Sequence, residues 1–469
     1  MFINIEILVV PLFTTQPLGF RRSLSTLKRL RLKPYLCNMN KKRVAFHTLG
    51  CKLNFSETST ISRQFNTGDF QLVDFGEEAD IYVVHTCSVT AVAEKKCRAA
   101  IHRAHKTNPS SEIVVMGCAA QANPDIFAKM EGVSLVLGNN EKFRLAELLE
   151  KKEDHGGRVS DIGKTREFVP SYSANDRTRS FFKVQDGCDY FCTYCSIPYM
   201  RGRSRSDTVA NTMKVAREIA ATGMREIILT GVNIGDFGRK NHEKFIDLLR
   251  ELDQLKGIDR IRLSSVEPEL LSDEIIEFTA TSKRFLPHFH IPLQSGSDRI
   301  LALMNRKYKR EVFAARVQKI KSLMPDACIA ADVIAGFPGE TAEDFDDACR
   351  FIESLDVTYL HTFTYSRRPG TRAVEMEGHV DEKEKHRRSI VLHELSEAKK
   401  LAFYQAHTGK TLSVLWESDN IDGMMHGWTG NYIHVRTAYD PGLVNTITPV
   451  RLLSVAREKE LICDVLVEP

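Results

Sequence analysis

Several absences narrow the field before any motif is read. No stretch of about 20 apolar residues occurs in the 469-residue chain, which excludes an ordinary membrane-spanning helix. Glycine and proline are too sparse, at 27 and 16 residues, for a collagenous or mucin-like chain, and 42% hydrophobic residues exclude wholesale disorder. Charge of one sign is also missing. The formal net charge is +4, and residues 1–38 account for it, with six Lys/Arg (Arg21, Arg22, Lys28, Arg29, Arg31, Lys33) against Glu6. Global basicity therefore gives no case for a nucleic-acid partner; any such case must be local. What the chain does have is cysteine: eleven, an odd number, three of them within eight residues. That pattern is not a disulfide framework and fits metal-bound thiolates in a reducing cytosol, so a cytoplasmic protein is expected. The length predicts about three domains with ample core.

Residues 1–38 read as an appendage. An apolar start (residues 3–13) precedes a basic, acid-free run at 20–33, the reverse of a secretory signal. Three readings stand: a mis-set start codon with Met39 as the natural one, an organellar transit peptide, or a structural extension.

Residues 40–152 form a first domain in which a strand, a cysteine and a helix recur three times. Apolar runs at 43–49, 80–86 and 112–117 end at Cys51, Cys87 and Cys118, and helices follow from about Ser56, Ala91 and Pro124. Apolar strands alternating with helices predict an open parallel sheet with right-handed crossovers. All three cysteines then lie at the carboxyl ends of strands, where open α/β sheets place ligands. Three thiolates at one edge suit an iron–sulfur cluster with one iron left free of protein ligands. Cys97, off this register, reads as packing. Asn54 and Glu57 read as fixing the cysteine loop, touching substrate, or capping the helix near Ser56.

Residues 153–173, mixed in charge and without apolar period, read as a linker. In residues 174–404, a strand at 181–186 runs into Cys188, Cys192 and Cys195, a C-x₃-C-x₂-C loop. It can hold three corners of a [4Fe–4S] cubane; a three-cysteine zinc site with a distant fourth ligand is the alternative. Further strands at 226–233, 260–267, 287–294, 328–335 and 359–365 alternate with amphipathic helices and predict an open, partial (β/α)₆ barrel. Its chemistry belongs at the carboxyl strand ends, which carry Gly231–Gly235, Ser264–Pro268, Gln294–Gly296 and Gly336–Glu340. A charged helix over 381–404 should turn Ile390, Leu395, Ala398 and Leu401 inward, with His386, Arg387 and Arg388 on a solvated face. Residues 405–469 switch to short strands (412–416, 431–436, 449–455, 461–466) with turns at Asp422-Gly423 and Asp440–Gly442, a small all-β barrel.

The C-x₃-C-x₂-C loop on the first strand of a six-unit barrel resembles the radical S-adenosylmethionine superfamily. The three N-terminal cysteines (Thr48–Cys51, Thr86-Cys87, Gly117-Cys118), with Arg201-Gly-Arg203, resemble its methylthiotransferases over residues 42–469. Gly50–Asn54, Gly187–Tyr190, Arg201–Arg205 and Gly231–Asp236 look like the branch that acts on N6-threonylcarbamoyladenosine at position 37 of tRNA, giving the 2-methylthio product. This resemblance implies two [4Fe–4S] clusters. One sits on Cys188, Cys192 and Cys195 and cleaves S-adenosylmethionine to a radical that abstracts hydrogen from the base. The auxiliary one, on Cys51, Cys87 and Cys118, carries the sulfur. S-Adenosylmethionine serves as radical source and methyl donor, and an external electron donor is implied. Gly231, Asn233, Glu267 and Asp332 are the expected S-adenosylmethionine contacts. No catalytic group is expected beyond the cluster ligands. The C-terminal barrel is expected to be TRAM-like and RNA-binding, through Arg436, Arg451 and Arg457, with Trp428 or Tyr432 stacking on bases. Its net charge of −3, from five Lys/Arg and eight Asp/Glu, confines such contact to a local strip. The competing functions are methylthiolation of isopentenyladenosine in tRNA or of ribosomal protein S12, and a non-catalytic iron–sulfur RNA-binding protein.

Overall fold

A computed structural model describes residues 41–65, 69–88, 90–151, 159–174, 178–457 and 461–467. The readings of residues 1–38 lie outside the described residues. Among those described, no helix is long and apolar enough to cross a membrane.

The first layer is a parallel sheet of β1 (Lys42–Thr48), β2 (Phe70–Val73), β3 (Ile81–Thr86), β4 (Glu112–Gly117) and β5 (Val133–Leu137), in the order β2-β1-β3-β4-β5. Helices α1 (Lys52–Ser62), α2 (Ala91–Thr107), α3 (Cys118–Ala122), α4 (Pro124–Ala128) and α5 (Leu145–Glu150) connect and flank it. The central strands β3 and β4 are largely apolar because both their faces are covered. Tyr82, Val84, Ile113 and Val115 enter one core, while Ile81, Val83, Val114 and Met116 enter the other. β2 and β5 add to the three strands expected from sequence.

The second layer starts with β6 (Ser171–Tyr172), β7 (Arg179–Lys183), β8 (Gln185–Asp186), α6 (Ile197–Arg201) and β9 (Arg205–Ser206). It continues as α7 (Val209–Ala221), β10 (Glu226–Thr230), α8 (Phe245–Asp253), β11 (Arg260–Leu263), α9 (Asp273–Thr281) and β12 (His288–Gln294). It ends with α10 (Asp298–Leu303), α11 (Arg310–Leu323), β13 (Cys328–Ala335), α12 (Ala342–Ser354), β14 (Tyr359–Thr364) and α13 (Glu382–Gln405). β7, β10 and β11 pair in parallel, as do β12, β13 and β14. Parallel bridges at Ile261–Phe285 and Ser265–His290 join the two halves. The six strands thus curve into a barrel that stays open between β7 and β14. The helices start where the sequence supplies caps: Thr208 accepts from Asn211 N, Ser272 from Ile275 N, and Thr341 with Asp344 closes a capping box. Each such cap stabilises its helix by about 1 kcal/mol.

Beside the open edge, α1 of the first domain packs on β6 and β7. Thr60 Oγ1 exchanges hydrogen bonds with the Tyr172 backbone, and the Arg63 guanidinium stacks over the Tyr172 ring at 4.3 Å. The connector is held as well: Arg205 Nε donates to Glu167 O and Gln121 Nε2 to Ser160 O.

On α13, Leu395 and Leu401 pack inward as expected, and the rest of the inward face differs. Ile390 is 44% exposed and Ala398 is exposed, while Lys385, Arg388, Leu392, Ser396 and Tyr404 are buried. Polar residues can occupy that face because partners wait for them. Arg388 pairs with Glu340 at 2.7 Å, and Ser396 Oγ accepts from Leu360 N. Arg387 pairs with Glu384.

Strands β15 (Thr411–Trp416), β16 (Met424–Thr429), β17 (His434–Ala438), β18 (Ile447–Arg457) and β19 (Leu461–Val467) close a barrel in the order β15-β16-β17-β19-β18. It docks on the amino-terminal ends of the large barrel's strands. Arg179 pairs with Glu417 at 2.7 Å, and Arg260 donates to Trp428 O and Ser413 O. Arg262 donates to Gly430 O while pairing with the buried Glu226.

Candidate active site

Six cysteines from two domains meet in one cavity of about 790 Å³. Cys51, Cys87 and Cys118 reach it from the ends of β1, β3 and β4, and Cys188, Cys192 and Cys195 from the loop after β8. Backbone geometry makes the first convergence possible. Gly50 and Gly117 hold φ of +107° and +100°, which L side chains rarely adopt. A Cβ at Gly50 would stand 2.9 Å from Cys87 Sγ, and one at Gly117 would stand 2.5 Å from the His85 ring. Asn54 donates to both Leu49 O and Thr86 O, tying the ends of β1 and β3 together. Of the three roles open to Asn54, fixing the cysteine loop is met by these bonds, and it also lines the cavity; the N-cap position of α1 belongs to Cys51. Cys97 packs against the site and supports it. Its Sγ accepts from Cys87 N at 3.4 Å and donates to Cys87 O.

The 188–195 loop is pinned from the other side. Thr193 N donates to Met304 O, Thr193 Oγ1 to Leu303 O, and Asn305 Nδ2 to Phe191 O. Phe191 sits at φ +50°, an uncommon backbone state for a bulky residue and one that the surrounding bonds hold in place. Arg306 Nη1 donates to Cys192 Sγ at 3.2 Å while its other nitrogen pairs with Glu267. Burial pushes the thiols up, Cys195 to about 12, with Cys51, Cys188 and Cys192 also raised. They are thiols in the free protein, so metal binding must release protons.

The sulfurs do not crowd around a single point. Among the described residues, the set of His, Cys, Asp or Glu with ligand atoms within 4.8 Å of one another is His290, Asp332 and His361; neither cysteine triad is that tight. A single zinc with sulfurs at about 2.3 Å would draw them to about 3.8 Å apart. Triads splayed wider fit a polynuclear cluster better than a closed zinc site.

The residues expected to meet S-adenosylmethionine divide. Asn233 and Glu267 line the cavity. Gln185 Oε1 accepts from Val232 N and Asn233 N, holding that loop so that both amide atoms of Asn233 are buried without a partner. An orphaned amide facing a cavity is the kind of group a polar ligand satisfies. Gly231 stands behind it, and a Cβ there would meet Gln185 and Ile234 at under 3 Å. Asp332 does not line the cavity. It is buried within the barrel, where His290 Nε2 lies 2.6 Å from it and His361 on β14 stands opposite it. Gln294, in one of the strand-end segments expected to carry chemistry, lines the cavity at φ +64° beside a bulge in β12.

A buried ionic network joins the two domains behind the cavity. Arg201, 1% exposed, lines the cavity and donates to Glu57 (3.1 and 3.2 Å), Asp186 (3.0 Å) and Asn54 (2.6 Å). Glu57 also accepts from Lys142 at 2.6 Å and Lys183 at 2.9 Å. Burial opposes charge on Glu57, but Arg201, Lys142 and Lys183 together hold its carboxyl well below the usual range. Arg205 completes the set on Asp186 at 3.1 Å. His85, at 3.8 Å from Glu57, is kept neutral by burial and the adjacent Lys142.

The residues expected to touch RNA lie on two strands of the small barrel, β17 and β18. Arg436 on β17 is tied to Asp464 at 2.7 Å, and Arg451 is exposed on β18, which β19 separates from β17. The side chain of Arg457 lies outside the described residues. Trp428 stacks on Tyr432 and His434, beneath Arg179, and Tyr432 lies under Arg262. These aromatics serve the docking of the small barrel.

Fold and cavity thus set two groups of three cysteines, one from the sheet domain and one from the partial barrel, around one space. Residues 182–352 match the Radical SAM superfamily, and residues 43–138 match the Uncharacterized protein family UPF0004. The chain is 38% identical to the threonylcarbamoyladenosine tRNA methylthiotransferase of Bacillus subtilis, over 87% of this chain and 93% of that protein. It is 36% identical to the one from Aquifex aeolicus, over 84% and 96%. It is 34% identical to the tRNA-2-methylthio-N(6)-dimethylallyladenosine synthase of Alkaliphilus oremlandii, over 90% and 92%. Among solved structures, the radical S-adenosylmethionine methyltransferase TsrM from Kitasatospora setae shares the fold, with a TM-score of 0.52 at 14% identity over 71% of this chain and 74% of that one. The chain belongs to the tRNA methylthiotransferases of the radical S-adenosylmethionine superfamily. With that membership come S-adenosylmethionine and a [4Fe–4S] cluster as cofactors.

Proposed function

We propose that this chain methylthiolates C2 of N6-threonylcarbamoyladenosine at position 37 of tRNA, with two [4Fe–4S] clusters, one on each cysteine triad. The observation that carries the reading is the shared cavity: both triads line it, and it is the space into which a base would be brought. The clusters would supply reductive cleavage of S-adenosylmethionine and a place for the sulfur to be transferred, with an external donor providing electrons. The protein's part is to bind, orient and exclude water. Cys188, Cys192 and Cys195 hold one cluster, and Arg306 orients Cys192. Cys51, Cys87 and Cys118 hold the other, and Asn54 and Cys97 fix their backbone. Asn233 and Glu267 meet the polar end of S-adenosylmethionine, with Gly231 allowing the close turn; Asp332 bonds His290 within the barrel. Arg436, Arg451 and Arg457 contribute charge to tRNA binding. The threonylcarbamoyl substrate is favoured by the activity for which the Bacillus and Aquifex relatives are named.

The test is mass spectrometry of tRNA nucleosides from a host lacking its own enzyme, with and without this gene. Appearance of 2-methylthio-N6-threonylcarbamoyladenosine supports the proposal. The isopentenyl analogue would keep the chemistry and overturn the substrate. No methylthio nucleoside at all would overturn the tRNA reading and favour a protein substrate.

A further inference from the structure

A second cavity, of about 570 Å³, opens beside the first and shares Tyr194, Cys195 and Gln294 with it as walls. It lies past the carboxyl end of β14, where Tyr365, Ser366 and Arg368 enter its wall, and Thr90 at the start of α2 contributes from the first domain. The backbone there is pinned. Tyr365 N donates to Ala335 O, Thr371 Oγ1 to Arg368 O, and Ala373 N to Thr193 O of the cysteine loop.

Two buried groups in this wall have unmet hydrogen bonds. Arg368 is 6% exposed, and its Nε has no partner among the described residues; Tyr365 is 5% exposed, and its hydroxyl has none there either. Of the rest of the guanidinium, Nη2 donates to Ser366 Oγ at 3.0 Å. Nη1 stands 3.6 Å from Glu94 on α2, a long pair with a partly exposed carboxylate. The cations of the first cavity differ: Arg201 is bonded to Glu57 and Asp186, and Arg306 to Glu267. A buried cation with an idle donor is costly unless an anion meets it. The orphaned hydroxyl in the same wall is a further donor for the same guest.

A nucleotide that brings its adenine C2 between the cysteine triads offers two kinds of oxyanion close to that ring. One is the carboxylate of a threonylcarbamoyl arm on N6; the other is the phosphate on either side of its sugar. C6, which bears the arm, flanks the same ring nitrogen as C2, so the arm leaves the ring beside the reacting carbon. We propose that the second cavity is the oxyanion subsite for the substrate nucleotide, with Arg368 as its cation and Tyr365 as a second donor. This rests on the reading that an adenosine of tRNA enters the shared cavity. Carboxylate and phosphate present a guanidinium with the same charge-assisted acceptor, and the experiment separates them.

The experiment uses the full-length chain, reconstituted anaerobically, and anticodon stem-loop RNAs that differ at position 37. One carries N6-threonylcarbamoyladenosine and one its neutral threoninamide counterpart. A third keeps the threonylcarbamoyl base and has uncharged methylphosphonates in place of the phosphates flanking it. KM for methylthiolation is measured by mass spectrometry, and Kd by fluorescence anisotropy. The parent should weaken about tenfold in both on the RNA that lacks the bound oxyanion. Loss with threoninamide assigns the carboxylate, and loss with methylphosphonate the phosphate. Arg368→Leu should abolish that ratio of charged to neutral RNA, Arg368→Lys should keep part of it, and Tyr365→Phe should narrow it. Each protein is compared with itself on charged and neutral RNA, so partial misfolding leaves the ratio untouched. An Arg368 that only clamps Glu94 would weaken all RNAs alike and overturn the proposal. A parent ratio near one on both neutral RNAs would overturn it too, and so would a ratio that Arg368→Leu leaves intact. If the parent forms no methylthio product on any RNA, the proposed function falls, and the Kd ratios alone decide the subsite.

Discussion

Glu57→Ala is the perturbation that tests how the two domains are held in register. Glu57 is fully buried and accepts from Lys142, Lys183 and Arg201 at 2.6–3.2 Å. Removing one partner from a buried ionic group leaves uncompensated charge and costs about 3–5 kcal/mol. Here the cost falls on docking, since Glu57 lies on α1 of the first domain while Lys183 and Arg201 belong to the barrel. With a urea slope of about 2–3 kcal/mol per molar, the first transition should move down by roughly 1–2 M. The chain supplies its own control. Both tryptophans, Trp416 and Trp428, sit in the C-terminal barrel, so their fluorescence reports that module. Circular dichroism should show the early loss while the tryptophan transition stays in place. Combining Glu57→Ala with Lys183→Met should recover part of the loss, because one stranded cation disappears. The reasoning fails if the single variant shifts the first midpoint by less than about 0.3 M. It fails too if the double variant is less stable than the single one.

Other consequences follow from the same geometry. Cys192→Ala should abolish reductive cleavage of S-adenosylmethionine, whereas Cys87→Ala should leave cleavage partly intact and lose the methylthio product; equal loss of cleavage in both would contradict a division of labour between the triads. Arg306→Leu strands Glu267 beside the cluster loop and should lower cleavage by at least tenfold with iron content retained; unchanged turnover would remove Arg306 from the site. Burial, with Arg103 nearby, lowers His47 to about 4, and burial, with His290 nearby, lowers His361 to about 3, against roughly 6.5 in an unfolded chain. Both are held neutral, so their stabilisation is complete above about pH 6.5. It falls as pH drops towards 4, by up to about 1.4 kcal/mol per unit for each; urea midpoints that do not change between pH 7 and 5 would refute this. Trp428→Ala should loosen the small barrel from the large one by about 1–3 kcal/mol through lost stacking and cation contact, read as an earlier fluorescence change of Trp416.

Much of this molecule is local in origin, and that part could be read without coordinates. Apolar strands ending at Cys51, Cys87 and Cys118 had to converge at one sheet edge, because parallel strands joined by right-handed crossovers bring their carboxyl ends together. The C-x₃-C-x₂-C spacing places Cys188, Cys192 and Cys195 on one loop whatever surrounds it. Strand–helix alternation fixes the barrel's order, and short strands between turns fix the small barrel, though β16 went unread because Met424–Thr429 lacks alternation and carries Gly427. What only the tertiary structure decided is how distant parts face each other. Glu57 and Arg201 are 144 positions apart, Glu57 and Lys142 are 85 apart, and nothing in their flanking residues marks them as partners. Asp332 was expected at the cavity, yet it lies within β13, short of the carboxyl end at Ala335, and meets His290 there. Part of the inward face of α13, Arg388 and Ser396, is polar because Glu340 and Leu360 lie opposite it, which the helix's own periodicity cannot show. Periodicity and spacing are properties of a segment. Charge compensation and cavity walls are properties of docked surfaces, and they exist only once the domains have met.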